Sequence, residues 1–574
     1  MKTVYRLGVV ASMLALLSAT SALAQDRDDG RRSIKHVLLI SVDGMHAVDF
    51  VNCANGVPTV NNGEPYCPTI AALGKTGINY VSASTSKPSD SFPGLTAIIT
   101  GGSPAFTGVY YDVAYSRALD GPVVATGNGN QPGPCTAGKA PTGYTTEYEE
   151  GIDIDQTKLN GGAPHASLTD GGIASIDPQK LDRDPANGCK PVWPWQFVRA
   201  NSIFSVIHQH GGITAWSDKH PAYSSVASGI GPSALDDFYA PEINSTVIGL
   251  PGVTTPTGIS CAAIRDSGSD LTAWTNSFAN IQCYDTLKVN AVLNWIDAKT
   301  RLGTGRLDHT PTIFGMNFQA VSVAQKLIEK SNGVTGGYLD AAATPSAALL
   351  DEFKFVDASI AAFVSELKER RLLDSTLIVI TAKHGQSPID PSRYVGQTIN
   401  GTSPATLLSN AGYIPYSEST NNPIGIGPTE DDVSLLWLNS SSNTDAAVQI
   451  LQQNPSTSTG IGLGQIFYGP SLSLNFNDPT VDPRTPDIIV TPNVGVTYSG
   501  SHAKQSEHGG FAHDDTNVVL LLSNPDFHAK TVNAPVGTAQ VAPTILKALH
   551  IDPRDLDAVK VEGTPVLPAV QFQQ

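Results

Sequence analysis

Short apolar runs rich in Val, Ile and Leu recur along this chain, and each gives way abruptly to polar residues. They are His36 to Val42 before Asp43, Leu377 to Thr381 before Lys383, Asp487 to Val490 before Thr491, and Val518 to Leu522 before Ser523. An apolar run without alternation predicts a strand buried on both faces, as in a parallel sheet. Between these runs, Val356, Ile360, Phe363, Val364 and Leu367 recur at helical spacing within Asp351 to Arg370, predicting a helix that feeds the strand at Leu377. Helices alternating with parallel strands build layered α/β sheets, whose functional groups collect at the carboxyl ends of the strands. Asp43 and His384 fall at such ends.

Two stretches break the pattern. From about 119 to about 280 the chain is punctuated by Gly, Pro, Asn and Thr clusters, which predicts a large insertion. From about 390 to about 482 a β-like run at Val433 to Leu438 and a helical stretch near Thr444 to Gln453 predict a small cap. A last helix is expected from Ala542-Pro543-Thr544. The expected architecture is a three-layer α/β domain over 25–574, with a mostly parallel central sheet, the large insertion and the cap.

Lys2 and Arg6, the apolar run Leu7 to Leu17 and the small residues Ser21-Ala22-Leu23-Ala24 read as a cleaved export signal over 1–24. No later segment has the apolar length of a bilayer span, so a secreted or periplasmic protein without a membrane anchor is expected. An oxidising compartment favours disulfides among Cys53, Cys67, Cys135, Cys189, Cys261 and Cys283. Sequence neighbours suggest Cys53 with Cys67, Cys135 with Cys189 and Cys261 with Cys283, although other pairings are open to six cysteines. The net charge of -17 argues against a nucleic-acid polymer or an anionic membrane as partner, while leaving room for a small anion in a locally positive pocket.

Four segments carry candidate chemistry. Asp43 in Ser41-Val42-Asp43-Gly44-Met45 is a carboxylate at a strand end, either a metal ligand or a helix N-cap. In Lys87-Pro88-Ser89-Asp90-Ser91-Phe92-Pro93-Gly94 a hydroxyl stands at the mouth of a helix, as a placed nucleophile or as a cap. Lys383-His384-Gly385 follows the strand at Leu377, and Glu507-His508-Gly509-Gly510-Phe511-Ala512-His513 puts two histidines in one loop, a metal or acid/base signal. Asp218, Lys219 and His220 close a further apolar run; a turn with an N-cap is the expected reading, with a place in the cleft as the alternative.

In this order the four segments resemble the alkaline phosphatase superfamily, specifically its type I phosphodiesterase and nucleotide pyrophosphatase branch, over roughly 35–112, 310–390 and 487 onwards. The resemblance implies Asp43 as a metal ligand, Ser91 as the nucleophile of a Thr-Phe-Pro-Asn-like motif, His384 as the His of Asp-His-Gly, and His508 as the late His ligand. The sequence departs from the pattern at Lys383, where the family has Asp, and at Gln319 and Val323, where it has the Asp and His of a second ion. Tyr111 and Asp112 stand near the place of its oxyanion-binding Asn. Valine cannot ligate and an amide is a weak ligand, so at most one divalent ion, zinc by family habit, is expected on Asp43, Ser91, His384 and His508.

Lys383, Asn317 and Asp112 would line the substrate pocket, with Lys383 also a catalytic candidate. The expected function is a secreted hydrolase of small phosphoesters, phosphodiesters first, through a phosphoserine at Ser91. Three alternatives stand beside it: a metal-free site in which Lys383 pairs with Asp43, a sulfate or phosphonate ester hydrolase, and a binding protein without turnover.

Overall fold

The apolar runs assemble into an eight-stranded sheet in the computed structural model, which describes residues 33–126, 132–148, 172–244, 250, 252–261, 274–330, 332–396, 403–414, 428–454, 462–498 and 504–572. The expected export signal lies outside the described residues. The strands are β1 (His36–Val42), β2 (Gly77–Tyr80), β3 (Thr214–Ser217), β4 (Asp237–Tyr239), β5 (Ile313–Phe318), β6 (Thr376–Thr381), β7 (Leu520–Ser523) and β8 (Lys530–Val532), in spatial order β8-β2-β7-β6-β1-β5-β3-β4. β1 runs parallel to both neighbours, pairing Ser41 with Asn317 on one side and Thr381 on the other. That register brings the residues after all three strands to one edge, which is why Asp43, Gln319 and Lys383 meet.

Both faces of the sheet are covered, because alternate residues of a two-sided strand serve different cores. Leu38, Ile40, Phe314, Met316 and Ile378 face one layer, built by α3 (Phe278–Ile296) and α5 (Ala347–Glu369). Val37, Leu39, Ile313, Leu377 and Val379 face the other, built by α1 (Ser91–Thr100), α2 (Ile203–Gln209) and α6 (Val541–Ala548). The short α4 (Ala320–Lys326) follows β5 directly. The expected helix before Leu377 is α5, capped by Ser346, whose hydroxyl accepts from Leu349 N.

Several expectations need correction. The segment read as one insertion, 119–280, supplies β3 and β4 to the central sheet, so its second part is core. β7 lies antiparallel to β6 and β2, not parallel, since a short apolar run carries no direction. The run at Asp487 gives the strand Ile488–Pro492, which belongs to a separate four-stranded sheet with Pro428–Glu430, Ser434–Leu436 and Leu463–Tyr468. This cap therefore extends past 482, with its own core of Leu408, Leu436, Leu451, Ile488 and Val490. It is tied to the first part of the insertion where Arg199 Nη1 and Nη2 each donate to Asp482 at 2.7 Å. Disulfides join Cys53 to Cys67, Cys135 to Cys189 and Cys261 to Cys283.

Candidate active site

Ser91 is the first residue of α1, and Asp90 caps that helix by accepting from Phe92 N at 3.2 Å. Every residue of α1 is buried. The helix can approach the end of β6 because Gly94 rests on it: a Cβ there would stand 2.0 Å from the Lys383 carbonyl oxygen. Ser91 thus lies beside the strand-end residues, with the helix N-terminus favouring negative charge at its hydroxyl.

Asp43 is fully buried and clamped by amides. Asn317 Nδ2 donates to Oδ1 and Gln319 Nε2 to Oδ2, each at 2.7 Å, and His384 Nε2 stands 3.6 Å from Oδ2. Burial alone would raise the Asp43 carboxyl, but the positive charges of Lys383 and His384 outweigh it and hold the group well below its ordinary range. Gln319, which cannot serve as the family's acidic ligand, here completes the clamp. Val323 lies on α4 and packs against the core.

Lys383 is fully buried and turns to Asp218, with Nζ 2.7 Å from Oδ1 and 3.8 Å above the centre of the Tyr223 ring. The alternative in which Lys383 pairs directly with Asp43 gives way to this partner, which enters from β3, on the far side of β5. Lys219, next in sequence, donates from Nζ to Ser91 Oγ at 3.3 Å. His220 pairs with Glu242 at 2.8 Å and stacks on Tyr223. The turn reading of Asp218, Lys219 and His220 is therefore corrected: His220 precedes a 3-10 helix, Pro221–Ala227, without a side-chain cap bond, and Asp218 and Lys219 reach Lys383 and Ser91. The signal was in the sequence, since they follow an apolar run as Asp43 and Lys383 do.

His508 is brought in by its loop, where Gly509 N donates to Ser89 O at 2.8 Å. Its ring lies 4.2 Å from that of His384, and Nδ1 stands 3.4 Å from Asp90 Oδ1. Neither of those two buried atoms has a hydrogen-bond partner. Burial, and then the charge of His384, push the His508 imidazole well below its usual range, so it is neutral. Burial pushes Asp90 up, against the pull of His384 and Lys219. Asp112 supports this corner through its backbone, donating N–H to Asp90 Oδ2 at 3.0 Å, while its own Oδ1 accepts from Val113 N. Lys219 and His508, each 8% exposed, and Gln319 and Asp112, each 5%, mark the side from which solvent reaches the cluster.

The sequence model of the type I phosphodiesterase/nucleotide pyrophosphatase family matches residues 37–514. The chain belongs to that family. Its members are phosphodiesterases and nucleotide pyrophosphatases, and this chain is an enzyme of that class. Among solved structures, alkaline phosphatase PafA superposes with a TM-score of 0.50 at 12% identity, covering 91% of this chain and 96% of that one, which supports the alkaline-phosphatase-like fold. Murine ectonucleotide pyrophosphatase/phosphodiesterase 5 is similar at 12% identity and a TM-score of 0.47, with 90% and 96% covered. An inactive variant of that protein in complex with AMP gives 11% and 0.48, with the same coverage. No curated protein sequence matches the chain.

Members of the superfamily are metal-dependent, and the donor set around Asp43 does not fit the family's ion. Both carboxylate oxygens are taken by amide N–H donors, and an ammonium replaces the neighbouring ligand. Among the described residues, no three His, Cys, Asp or Glu side chains converge on one point as an ion site. The same residues read differently as a charge system: two lysine ammonium groups and a helix N-terminus surround the Ser91 hydroxyl and its neighbours.

Proposed function

We propose that the chain hydrolyses small phosphoesters, phosphodiesters above all, by attack of Ser91 on phosphorus in a pocket whose positive charge comes from lysines. The contact of Lys219 Nζ with Ser91 Oγ carries this reading. In the first step Ser91 Oγ bonds to phosphorus while one ester oxygen departs and takes up the hydroxyl proton, leaving a phosphoserine that, for a diester, still carries the second ester group. In the second, water displaces Ser91 Oγ, returns a proton to it and releases the phosphomonoester. Negative charge grows on the phosphoryl oxygens in both steps, and Lys219 with the N-terminus of α1 faces that charge in a buried, low-dielectric setting. Lys383, fixed on Asp218, adds to the local field. The net charge of -17 and the buried position of Ser91 favour small substrates over nucleic-acid polymers.

A second reading keeps one divalent ion, zinc by its nitrogen and oxygen ligands, held by Asp90 and His508. The two unpartnered buried atoms at 3.4 Å favour it. The three disulfides favour an exported, secreted or periplasmic protein, and no helix among the described residues is long and apolar enough to cross a membrane.

Purified protein assayed on aryl phosphodiester, phosphomonoester and sulfate esters, with and without chelator and alongside metal analysis, tests all of this. Chelator-resistant phosphodiester turnover that disappears in Ser91→Ala, with the phosphoryl group and its remaining ester trapped on Ser91 at low pH, is the expected result. Turnover abolished by chelator would select the one-ion reading, and absence of turnover on every ester would defeat both.

A further inference from the structure

Helix α3, on the first face of the sheet, carries buried polar residues along its length, among them Tyr284, Asp285 and Lys288. Tyr284, Asp285 and Lys288 are each 0% exposed. Asp285 and Lys288 pair at 2.9 Å, and Lys288 Nζ lies 4.7 Å above the Tyr284 ring. A buried ion pair adds little stability compared with apolar residues of the same volume, so its place in a core asks for a role in arrangement.

The hydrogen bonds show what is arranged. The Tyr284 hydroxyl reaches the carbonyl oxygens of Lys219 at 3.1 Å and Pro241 at 2.7 Å. Lys288 Nζ donates to the Asn317 carbonyl oxygen at 2.6 Å. Asp285 Oδ2 accepts from the amides of Gln319 and Ala320 at 2.8 and 2.9 Å. Two neighbouring positions on one helix, and a third one turn on, thus hold the backbone of both loops that enter the site from β3 and β5. The first loop presents Lys219 to Ser91; the second presents Asn317 and Gln319 to Asp43. The Cys261–Cys283 disulfide fixes α3 one residue before Tyr284.

We propose that Tyr284, Asp285 and Lys288 are the positioning residues of this active site. Tyr284 sets Lys219 on the nucleophile, and the Asp285–Lys288 pair sets the two amides on Asp43. None of the three touches Ser91 or Asp43 in a contact described above, so they act through the loops. The inference rests on the reading of Ser91 as nucleophile for its kinetic consequence, but not for its structural one.

Two variants test it. Tyr284→Phe removes a single hydroxyl, and Asp285→Asn/Lys288→Met removes both charges together so that neither is left buried alone. For each, kcat on an aryl phosphodiester should fall about tenfold or more with KM changed less than about twofold, because a misplacement near 1 Å is costly to catalysis. Hydrogen exchange of the 317–320 amides should quicken in the double variant, independently of activity. Retained kcat in Tyr284→Phe together with unchanged exchange at 317–320 would overturn the proposal. If the double variant does not fold, Tyr284→Phe decides: a kcat loss at constant KM upholds positioning, and unchanged kinetics overturn it. A wild type without turnover would defeat the nucleophile reading alone, and the exchange measurement would still decide the positioning claim.

Discussion

Replacing Lys383 by Met keeps a long unbranched side chain in a fully buried slot and removes only its charge. Asp218 then stands without its cation, 2.7 Å from where the ammonium was. At an effective dielectric near 20, two unit charges at that distance attract by about 6 kcal/mol. Most of this offsets the desolvation both groups have already undergone, so the pair as a whole contributes much less. Removing one partner is the expensive perturbation, costing about 3–5 kcal/mol, because the other charge stays buried alone.

Two contacts soften the loss. Trp216 Nε1 at 3.0 Å and Lys219 N at 2.9 Å continue to donate to Asp218, which puts Lys383→Met at the lower end, about 3 kcal/mol. Asp218→Asn with Lys383→Met removes both charges and should recover about 2 kcal/mol of that. The measurement is a double-mutant cycle from guanidinium unfolding curves of the wild type, both single variants and the double variant. A coupling energy under about 0.5 kcal/mol would show that the two side chains do not depend on each other, and the charge-based account of the site would be wrong.

Other expectations are simpler to check. Gly94→Ala drives a methyl group into the Lys383 carbonyl, a backbone atom that cannot step aside, so the melting temperature should drop and activity with it; an unchanged melting curve would contradict the close packing of α1 on β6. Lys383→Asp combined with Asp218→Asn restores a carboxylate beside His384 without stranding another, and should raise zinc affinity about tenfold or more in competition with a chelating dye; unchanged affinity would mean that position 383 does not decide ion binding. The Arg199–Asp482 pair holds the Asp482 carboxyl down to about 2, below the ordinary value near 4. A depressed carboxyl stabilises the fold above its unfolded pKa and loses that effect as pH falls through the folded one. Wild type should therefore melt above Asp482→Asn at pH 6, with the gap closing between about pH 4 and pH 2; a constant gap across that range would count against the pair.

Local pattern revealed three strands of the central sheet, β1, β6 and β7, together with α5 and the cap helix, because unbroken apolar runs and helical periodicity are properties of a short window. Strand direction was invisible, as β7 and Ile488–Pro492 show: each is an apolar run that reads the same in either orientation and in either sheet. Helix α3 escaped notice for a related reason. It is buried almost all round and carries Gln282, Asp285 and Lys288 inside, so the contrast between polar and apolar faces that marks a helix is blurred. At the site, the segments holding Asp43, Ser91, His384 and His508 stood out locally. The partners of the lysines did not, because 165 residues separate Lys383 from Asp218 and 128 separate Lys219 from Ser91.

The Lys383–Asp218 pair also constrains how relatives of this chain can vary. An ion drawn from solution can be exchanged, but a charge written into the polypeptide has to be inherited together with its counter-charge. Relatives that keep Lys at position 383 should keep an acidic residue at 218, whereas those with Asp before the histidine are released from that demand. Two positions far apart in the chain would then vary together, and an alignment of relatives would carry the trace of a contact that no short window of sequence shows.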